Sequence, residues 1–232
     1  MARKSATAAA SASPVAQAPP SAPVGKRPRT ARGEATRQRL IEAAETLFGR
    51  QGYHATSVAD ITRDAGVAQG TFYLYFDGKD GVFRELVKHL SHELRAAIRK
   101  DTEGLPTRLE VEEAGLRAFL RFAARHRDLY RIIFESQFID PDLFRWYYER
   151  LAQGYARGLE VAMEKGEVRR LDAETLAYCL MGASHFLGMR WVVWEGKEPT
   201  PEALQTLMEV LRAILQPGAA QPAALAGEEP HA

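Results

Sequence analysis

The amino-acid sequence predicts an all-α protein, with a small N-terminal helical unit followed by a larger helical body. Two observations support this prediction. Apolar residues recur at intervals of three and four along most of the chain, which is the period of an amphipathic helix. The chain also lacks a second alternating segment, so a lone strand would leave its backbone hydrogen bonds without partners.

The first helices are predicted from their stop and start signals. Residues 1–25 are rich in Ala, Ser and Pro and are expected to be disordered, and a basic arm follows them. The stretch "RLIEAAETLFGRQG" has one apolar stripe and a glycine stop at Gly52. Ser57 with Asp60 three residues later resembles a capping box, and Gly66 ends that second helix.

The aromatic run "TFYLYF" at 71–76 has the composition of a strand but is predicted to be helical. Phe72 and Phe76 are four residues apart, so in a helix they share one buried face. Tyr73 and Tyr75 then project away from that face. The predicted helix covers about 68–76 and follows the capped helix at the spacing of a helix-turn-helix.

The rest of the chain predicts longer helices. The stretch "KDGVFRELVKHLSHELRAAIRK" has a strong helical period and ends before "GLP". Further helices are expected at 107–125, 127–137, 141–165, 172–195 and 200–215. The predicted domains are a disordered basic arm at 1–31, a DNA-binding domain at 32–80, a helical effector-binding and dimerisation domain at 81–216, and a flexible tail at 217–232.

Composition and charge bound the class of protein. Of the 232 residues 46% are hydrophobic, yet no apolar run approaches the roughly 20 residues that span a membrane. No secretory signal is recognised, and the single cysteine, Cys179, is interpreted as a small apolar core residue. We therefore expect a cytoplasmic protein. Residues 1–100 contain 16 Lys and Arg against 9 Asp and Glu, a balance that suits a DNA partner.

Residues 36–90 resemble the N-terminal domain of the TetR family of transcriptional regulators. The most specific matches are T-S-V-x-x-I-x-x-x-A-G-V and G-T-F-Y-x-Y-F-x-x-K. This resemblance implies a homodimer that binds a palindromic DNA operator and whose divergent body binds an effector. Two departures concern helix starts: Ala68 stands where many members have a capping Ser, and glycines occupy positions 78 and 81.

The resemblance carries the DNA-binding residues over by position and implies a dimer formed by the last two helices, while the ligand residues are predicted from the aromatic content of the body. The DNA-binding set is Thr56, Ser57, Gln69, Gly70, Thr71, Tyr73, Tyr75 and Lys79. The last two long helices are expected to form the dimer through Gly182, Phe186, Trp191, Leu207, Leu211 and Ile214. An excess of aromatic residues in the body favours an apolar effector, with a fatty acid or acyl thioester as first choice. Its expected contacts are Phe134, Phe138, Phe144, Trp146, Tyr147 and Met181, with Arg131 and Arg190 at an anionic group.

Other functional classes stay open or are disfavoured. The sequence contains no G-x-x-x-x-G-K-[ST], G-x-S-x-G, H-E-x-x-H or C-x-x-C pattern, so we expect no catalytic residues, no cofactor and no metal. The leading hypothesis is a ligand-responsive dimeric regulator that acts as a repressor. The alternatives are a constitutive DNA-binding regulator without an effector, or a regulator of a multidrug or other small-molecule response.

Overall fold

The computed structural model describes residues 30–216, and every regular element in that range is helical. This confirms the all-α prediction for the described range. The predictions for residues 1–29 and for the tail at 217–232 lie outside the described residues. The helices are α1 (Ala31–Gln51), α2 (Val58–Asp64), α3 (Gln69–Phe72), α4 (Lys79–Thr102), α5 (Arg108–Arg125), α6 (Leu129–Ile139), α7 (Pro141–Glu164), α8 (Ala173–Gly188), a π-helical segment (Met189–Trp194) and α9 (Pro201–Leu215).

The N-terminal helices share one apolar core with the first half of α4. Phe72 and Phe76 are both fully enclosed in it, as their four-residue spacing predicts. They pack with Phe48 of α1 and Phe83 of α4 into a single cluster of buried side chains. The orientation of the short helices α2 and α3 is therefore fixed by packing on α1 and α4.

The helix α3 is shorter than predicted. Helical hydrogen bonding ends at Phe72, and Tyr73 to Tyr75 form turns rather than a continuation of the helix. The amides of Tyr75 and Phe76 both donate to the Phe72 carbonyl, which closes the chain tightly after α3. The predicted nine-residue helix is thus corrected to a single turn of four residues.

The second core lies in the body, where α5, α7, α8 and α9 bury Leu120, Leu159, Leu180 and Leu211 among other apolar side chains. The predicted helix at 172–195 is divided in the structure: α8 ends at Gly188 and continues as the π-helical segment. At Gly188 an added Cβ would meet the Tyr130 hydroxyl, so a larger residue there would require the Tyr130 side chain to move.

Two further expectations from the sequence are the burial of Cys179 and the lack of a membrane-spanning segment. Cys179 is exposed on α8, so the prediction that it is a core residue is wrong within this chain. The reason is its position on the outer side of α8, where Tyr178 is also exposed. No helix in residues 30–216 combines the length and apolarity that crossing a membrane requires.

Candidate functional site

The α2–α3 unit has the geometry of a helix-turn-helix. The Ser57 hydroxyl accepts from the Asp60 amide at 3.1 Å while the Asp60 carboxylate accepts from the Ser57 amide at 3.1 Å, so the predicted capping box is present. Gly66 has φ of +64° in the turn, a conformation that favours glycine. Beyond the turn, Gln69 and Gly70 open α3 at the exposed surface.

The tyrosines of the aromatic run stand apart from the two buried phenylalanines. Tyr73 is exposed and Tyr75 is half-buried, whereas Phe72 and Phe76 lie in the core. Thr71 is half-buried beside them on α3. The assignment of Gln69, Gly70, Thr71, Tyr73 and Tyr75 to DNA contacts stays a prediction.

Thr56 does not have the role that the resemblance implies. Its side chain is buried, its hydroxyl donates to the Gly52 carbonyl at 2.8 Å, and Gln51 donates to the same hydroxyl at 3.2 Å. Its amide donates to the Tyr53 carbonyl. Because all of these groups are used within the turn, we correct Thr56 from a phosphate contact to a residue that shapes the approach to α2.

Lys79 begins α4 beside the same turn. Its ammonium donates to the Tyr53 carbonyl at 3.0 Å and lies 4.3 Å from the centre of the Tyr53 ring. An ammonium has three donors, so this contact leaves N–H groups for a phosphate. Gly78 caps the helix with φ of +152°, which explains why glycine occupies a position where the family has other residues.

The body encloses a cavity of about 1000 Å³ between α4, α5, α7 and α8. That volume is at the upper end of the range of about 300–1,000 Å³ for small-molecule sites. The predicted ligand residues Phe134, Tyr147 and Met181 line it. The remaining apolar lining includes Leu94, Ile98, Val111, Phe119 and Met189.

Three predicted aromatic contacts lie elsewhere. Phe138 is 83% exposed near the end of α6, and Phe144 and Trp146 pack against the N-terminal core. None of them lines the cavity. Sequence reasoning grouped them with Tyr147 because they are close in the sequence, but Phe138 lies on α6, and Phe144 and Trp146 do not reach the cavity from α7.

The two predicted basic residues also lie outside the cavity. Arg131 donates to the carbonyls of Gly49 and Arg50 at the end of α1, and Arg190 lies 3.8 Å from Glu195. Both assignments to an anionic ligand group are therefore corrected. Their charges are occupied in contacts within the chain.

Five other arginines line the cavity and were missed from the sequence. Arg108 is paired with Glu112 at 2.5 Å, and among the described residues the other four have no carboxylate partner. These four are Arg95 and Arg99 on α4 and Arg150 and Arg157 on α7. Their spacings of four and seven residues place each pair on one helical face, which was the available signal.

At the cavity rim, Arg95 is repelled by the nearby charges of Arg150 and Arg99. Burial lowers the pKa of Arg95, and the nearby charges of Arg150 and Arg99 lower it further. Arg99, Arg150 and Arg157 are exposed, while Arg95 is half-buried. An anion at this rim, hereafter the arginine rim, would relieve the repulsion.

A buried polar group completes the wall near the arginine rim. Glu112 accepts a hydrogen bond from the Tyr155 hydroxyl as well as from Arg108. Burial raises the pKa of Tyr155, and the Glu112 charge raises it further. Because Arg108 and Glu112 satisfy each other, they contribute little net charge to the cavity.

The predicted dimerisation residues divide into two groups. Phe186 is 65% exposed, and Trp191, Leu207 and Ile214 are half-buried. Leu211, in contrast, is 2% exposed and belongs to the body core, so its assignment to the dimer surface is corrected. Gly182 lines the cavity. The exposed apolar side chains on α8, the π-helical segment and α9 are Tyr178, Phe186, Val193, Trp194 and Val210, which we call the α8–α9 face; Tyr178 and Phe186 also line the cavity.

The helix α6 connects the cavity to the N-terminal unit. Phe134 lines the cavity, and the Tyr130 hydroxyl donates to the His185 carbonyl at 3.0 Å. On the adjacent side of α6, Arg131 donates to the last carbonyls of α1, and Glu135 accepts from the Tyr53 amide at 2.7 Å. One short helix therefore contacts both the cavity and the turn before α2.

A histidine–carboxylate pair joins the same two units beside α6. His126 at the end of α5 lies 2.6 Å from Glu45 of α1 and stacks on Phe122. The hydrogen bond with Glu45 raises the pKa of His126 above its usual value, although burial opposes the shift. The pair therefore holds α1 to the body most strongly when the imidazole is protonated.

Comparison with known proteins finds consistent relatives. Residues 40–86 match the family model described as bacterial regulatory proteins, tetR family. The uncharacterized HTH-type transcriptional regulator YdgC of Bacillus subtilis is 30% identical over 196 residues, covering 81% of this chain and 96% of that protein. The fatty acid metabolism regulator protein of Bacillus subtilis is 24% identical over 178 residues, covering 74% of this chain and 91% of that protein.

A solved structure gives the same architecture. The fatty acid degradation regulator FadR from Bacillus halodurans matches with a TM-score of 0.69 at 20% identity, covering 84% of this chain and 99% of that one. At this identity the match shows the fold alone.

The His126–Glu45 pair predicts a pH-dependent contribution to stability. Because the pKa of His126 is raised in the folded state, its contribution is complete below the unfolded value of about 6.5 and is lost as pH rises through the folded value. The thermal midpoint of His126→Gln should fall below that of the unsubstituted protein at acidic pH, and the gap should close in alkaline buffer. His54→Gln, at an exposed position, is the control; a gap that widens with pH would contradict the sign.

Proposed function

Because the chain belongs to the TetR family of bacterial regulatory proteins, we propose that it is a dimeric repressor that binds a palindromic operator. We propose further that it is released by an effector with an elongated apolar chain and an anionic head group. The observation that carries the effector half of this proposal is an apolar cavity whose rim holds four arginines without carboxylate partners among the described residues. The related proteins are transcriptional regulators rather than enzymes. Operator binding gives the protein a cytoplasmic site of action.

The operator is bound by the exposed surface around α3. Gln69 pairs with an adenine edge, Gly70 allows the backbone to approach closely, and Thr71 meets a thymine methyl group. Ser57, Tyr73, Tyr75 and Lys79 contact phosphates and fix the register. A single turn of helix is enough for this, because its leading residues are the ones that reach base edges.

Two copies associate through the α8–α9 face. Phe186 and Trp194, 65% and 68% exposed, would be costly to leave in water, and their burial in a self-complementary contact stabilises a two-fold dimer. Trp191, Leu207 and Ile214 extend this contact. The dimer holds the two α3 helices about 34–36 Å apart, the spacing of successive major grooves.

The effector is best described as an acyl thioester whose head group carries phosphates. A single carboxylate needs one or two arginines, whereas the arginine rim offers four. Burial of about ten methylenes contributes about 8 kcal/mol before ordering costs are subtracted. The names of the fatty acid regulators from two Bacillus species support this choice, and the cavity argues against a constitutive regulator.

Release follows if the effector favours a different placement of α6. Phe134 contacts the cavity, while Arg131 and Glu135 on the same helix bind the end of α1 and Tyr53. A ligand that displaces Phe134 changes the orientation of the N-terminal unit and hence the spacing of the two α3 helices. The ligand can shift the free-energy difference between the two arrangements only by the difference in its binding free energy for them.

Substitutions at α3 and α4 should affect operator binding differently. Gln69→Ala should relax preference at one base pair, at a cost of about 1–3 kcal/mol. Lys79→Ala should weaken binding to all sequences alike and lower the salt slope by about one unit. Gel-shift titrations on selected and scrambled operators measure both, with Gln205→Ala on α9 as the control. Wild-type binding by both variants would contradict the proposed surface.

The dimer prediction uses two valines of similar exposure. Val210→Arg places a charge on the α8–α9 face, and Val161→Arg places the same charge on α7. Sedimentation should show a monomer for Val210→Arg, because an unpaired charge in a buried contact is costly, and a dimer for Val161→Arg. Affinity for the palindrome should fall only in the first variant. Two dimers would show that another surface mediates association.

The effector prediction combines chain length with the arginine rim. Acyl thioesters of coenzyme A should raise the thermal midpoint and release the operator more effectively as the chain lengthens. Arg150→Gln should weaken the response by about tenfold, since a charged hydrogen bond is lost. Arg145→Gln, an exposed position on the same helix, should not change it. Release only by polar or cationic compounds would contradict the effector class and leave the DNA proposal intact.

A further inference from the structure

The end of the cavity next to α6 carries polar groups of its own, in addition to the arginine rim. Tyr147, Tyr148 and His185 line this region together with Phe134. We call these three polar side chains the aromatic pole. Along α7, Arg157 lies ten residues beyond Tyr147, which corresponds to about 15 Å of helix. Arg150, the nearest member of the arginine rim on α7, lies only three residues beyond Tyr147, so the aromatic pole adjoins one end of the arginine rim.

The Tyr147 hydroxyl lacks the partner that a buried polar group requires. The residue is 4% exposed and lines the cavity, and no described residue makes a hydrogen bond to its hydroxyl. Among the described residues, the Ser91 hydroxyl is the one side-chain polar atom that is both fully enclosed and without a hydrogen-bond partner. The Tyr147 hydroxyl also lacks a partner, so it is not fully enclosed and is accessible from the cavity. The hydroxyl therefore faces the cavity with its donor and acceptor free for water or for a ligand.

The His185 side chain, next to Tyr147 in the cavity wall, also has no hydrogen-bond partner among the described residues. Its ring is surrounded by Tyr130, Phe134, Tyr148 and Phe186 at centroid distances of 4.9–6.1 Å. The His185 side chain makes no hydrogen bond within residues 30–216, while its backbone carbonyl accepts from the Tyr130 hydroxyl and from the Met189 amide. Burial lowers the pKa of this imidazole, so it is neutral near pH 7 and presents one donor and one acceptor.

Neutral groups that both donate and accept are suited to a hydroxyl rather than to an anion. Burial raises the pKa of Tyr147 and of Tyr148, the latter to about 12, so both phenols stay protonated. An anion is better bound by the arginine rim, which has the charge. Resting on the proposed effector class, we infer that the natural effector carries a hydroxyl on its acyl chain and that the aromatic pole binds it.

The aromatic pole lies beside α6, so a ligand that binds it can also affect the helix that holds the N-terminal unit. The pole adjoins Phe134 and Tyr130, which belong to the helix that holds the N-terminal unit. A ligand that fills only the apolar wall leaves the phenol and imidazole unpaired. A hydroxylated chain satisfies them and contacts α6 directly, so it binds more tightly and releases the operator at lower concentration.

A hydroxyl moved stepwise along a dodecanoyl thioester of coenzyme A tests the inference. With the unsubstituted protein, calorimetry should find at least one position at which the hydroxyl tightens binding by about tenfold over the plain chain. Tyr147→Phe should reduce that preference to less than about threefold, taken as the ratio of the affinities of the hydroxylated and plain chains for the same variant. Tyr148→Phe supplies the same comparison if the first variant does not fold.

Three outcomes would overturn the inference. The first is that no hydroxyl position binds more tightly than the plain chain, and the second is that the preference persists in Tyr147→Phe. The third is that Tyr147→Phe loses affinity equally for plain and hydroxylated chains, which would mean that Tyr147 binds the carbonyl present in every acyl thioester. If no chain of either kind binds, the proposed effector class fails and the inference fails with it.

Discussion

The contacts of α6 with the end of α1 are the constraint on which the functional arrangement depends. Arg131 donates to two carbonyls at the C-terminus of α1, where the helix dipole is negative and where carbonyls lack helical partners. Glu135 accepts from the Tyr53 amide in the turn that leads to α2. These contacts determine how the N-terminal unit is held against the body.

Tyr53 extends this constraint to α4 and to the core beneath α3. Its carbonyl accepts from Lys79, its hydroxyl donates to Asp80, and its ring packs on Phe48 and Phe83. A change in α6 therefore reaches the start of α4 and the core beneath α3 through one residue. Each of these hydrogen bonds involves a charged group and is worth about 1.5–3 kcal/mol net, a size that the binding of a ligand can offset.

Interactions between residues close in the sequence could be predicted, whereas those that depend on the path of the chain could not. The Ser57–Asp60 capping box and the buried pair Phe72 and Phe76 follow from local spacing, and both are present. The use of the Thr56 hydroxyl by Gly52 follows from the path of a turn, which no spacing rule gives. The family resemblance alone led to a phosphate role for that residue.

The body was harder to predict because its site is assembled from distant segments. Arg95 and Arg150 approach each other only after α4 and α7 pack, so neither stood out in the sequence. Arg131, which was assigned to the ligand, proved to hold α1 instead. The aromatic excess did predict a cavity, but it could not separate Tyr147 from Trp146, because which face of α7 meets the cavity is decided by tertiary packing.

The central claim is that occupancy of the cavity is transmitted through α6, and hydrogen exchange at one backbone amide tests it most directly. The Tyr53 amide is held by Glu135 at 2.7 Å, so it should exchange slowly in the free protein. Saturation with a long-chain acyl thioester should accelerate its exchange while the operator is released. Unchanged protection of Tyr53 during operator release would contradict the account.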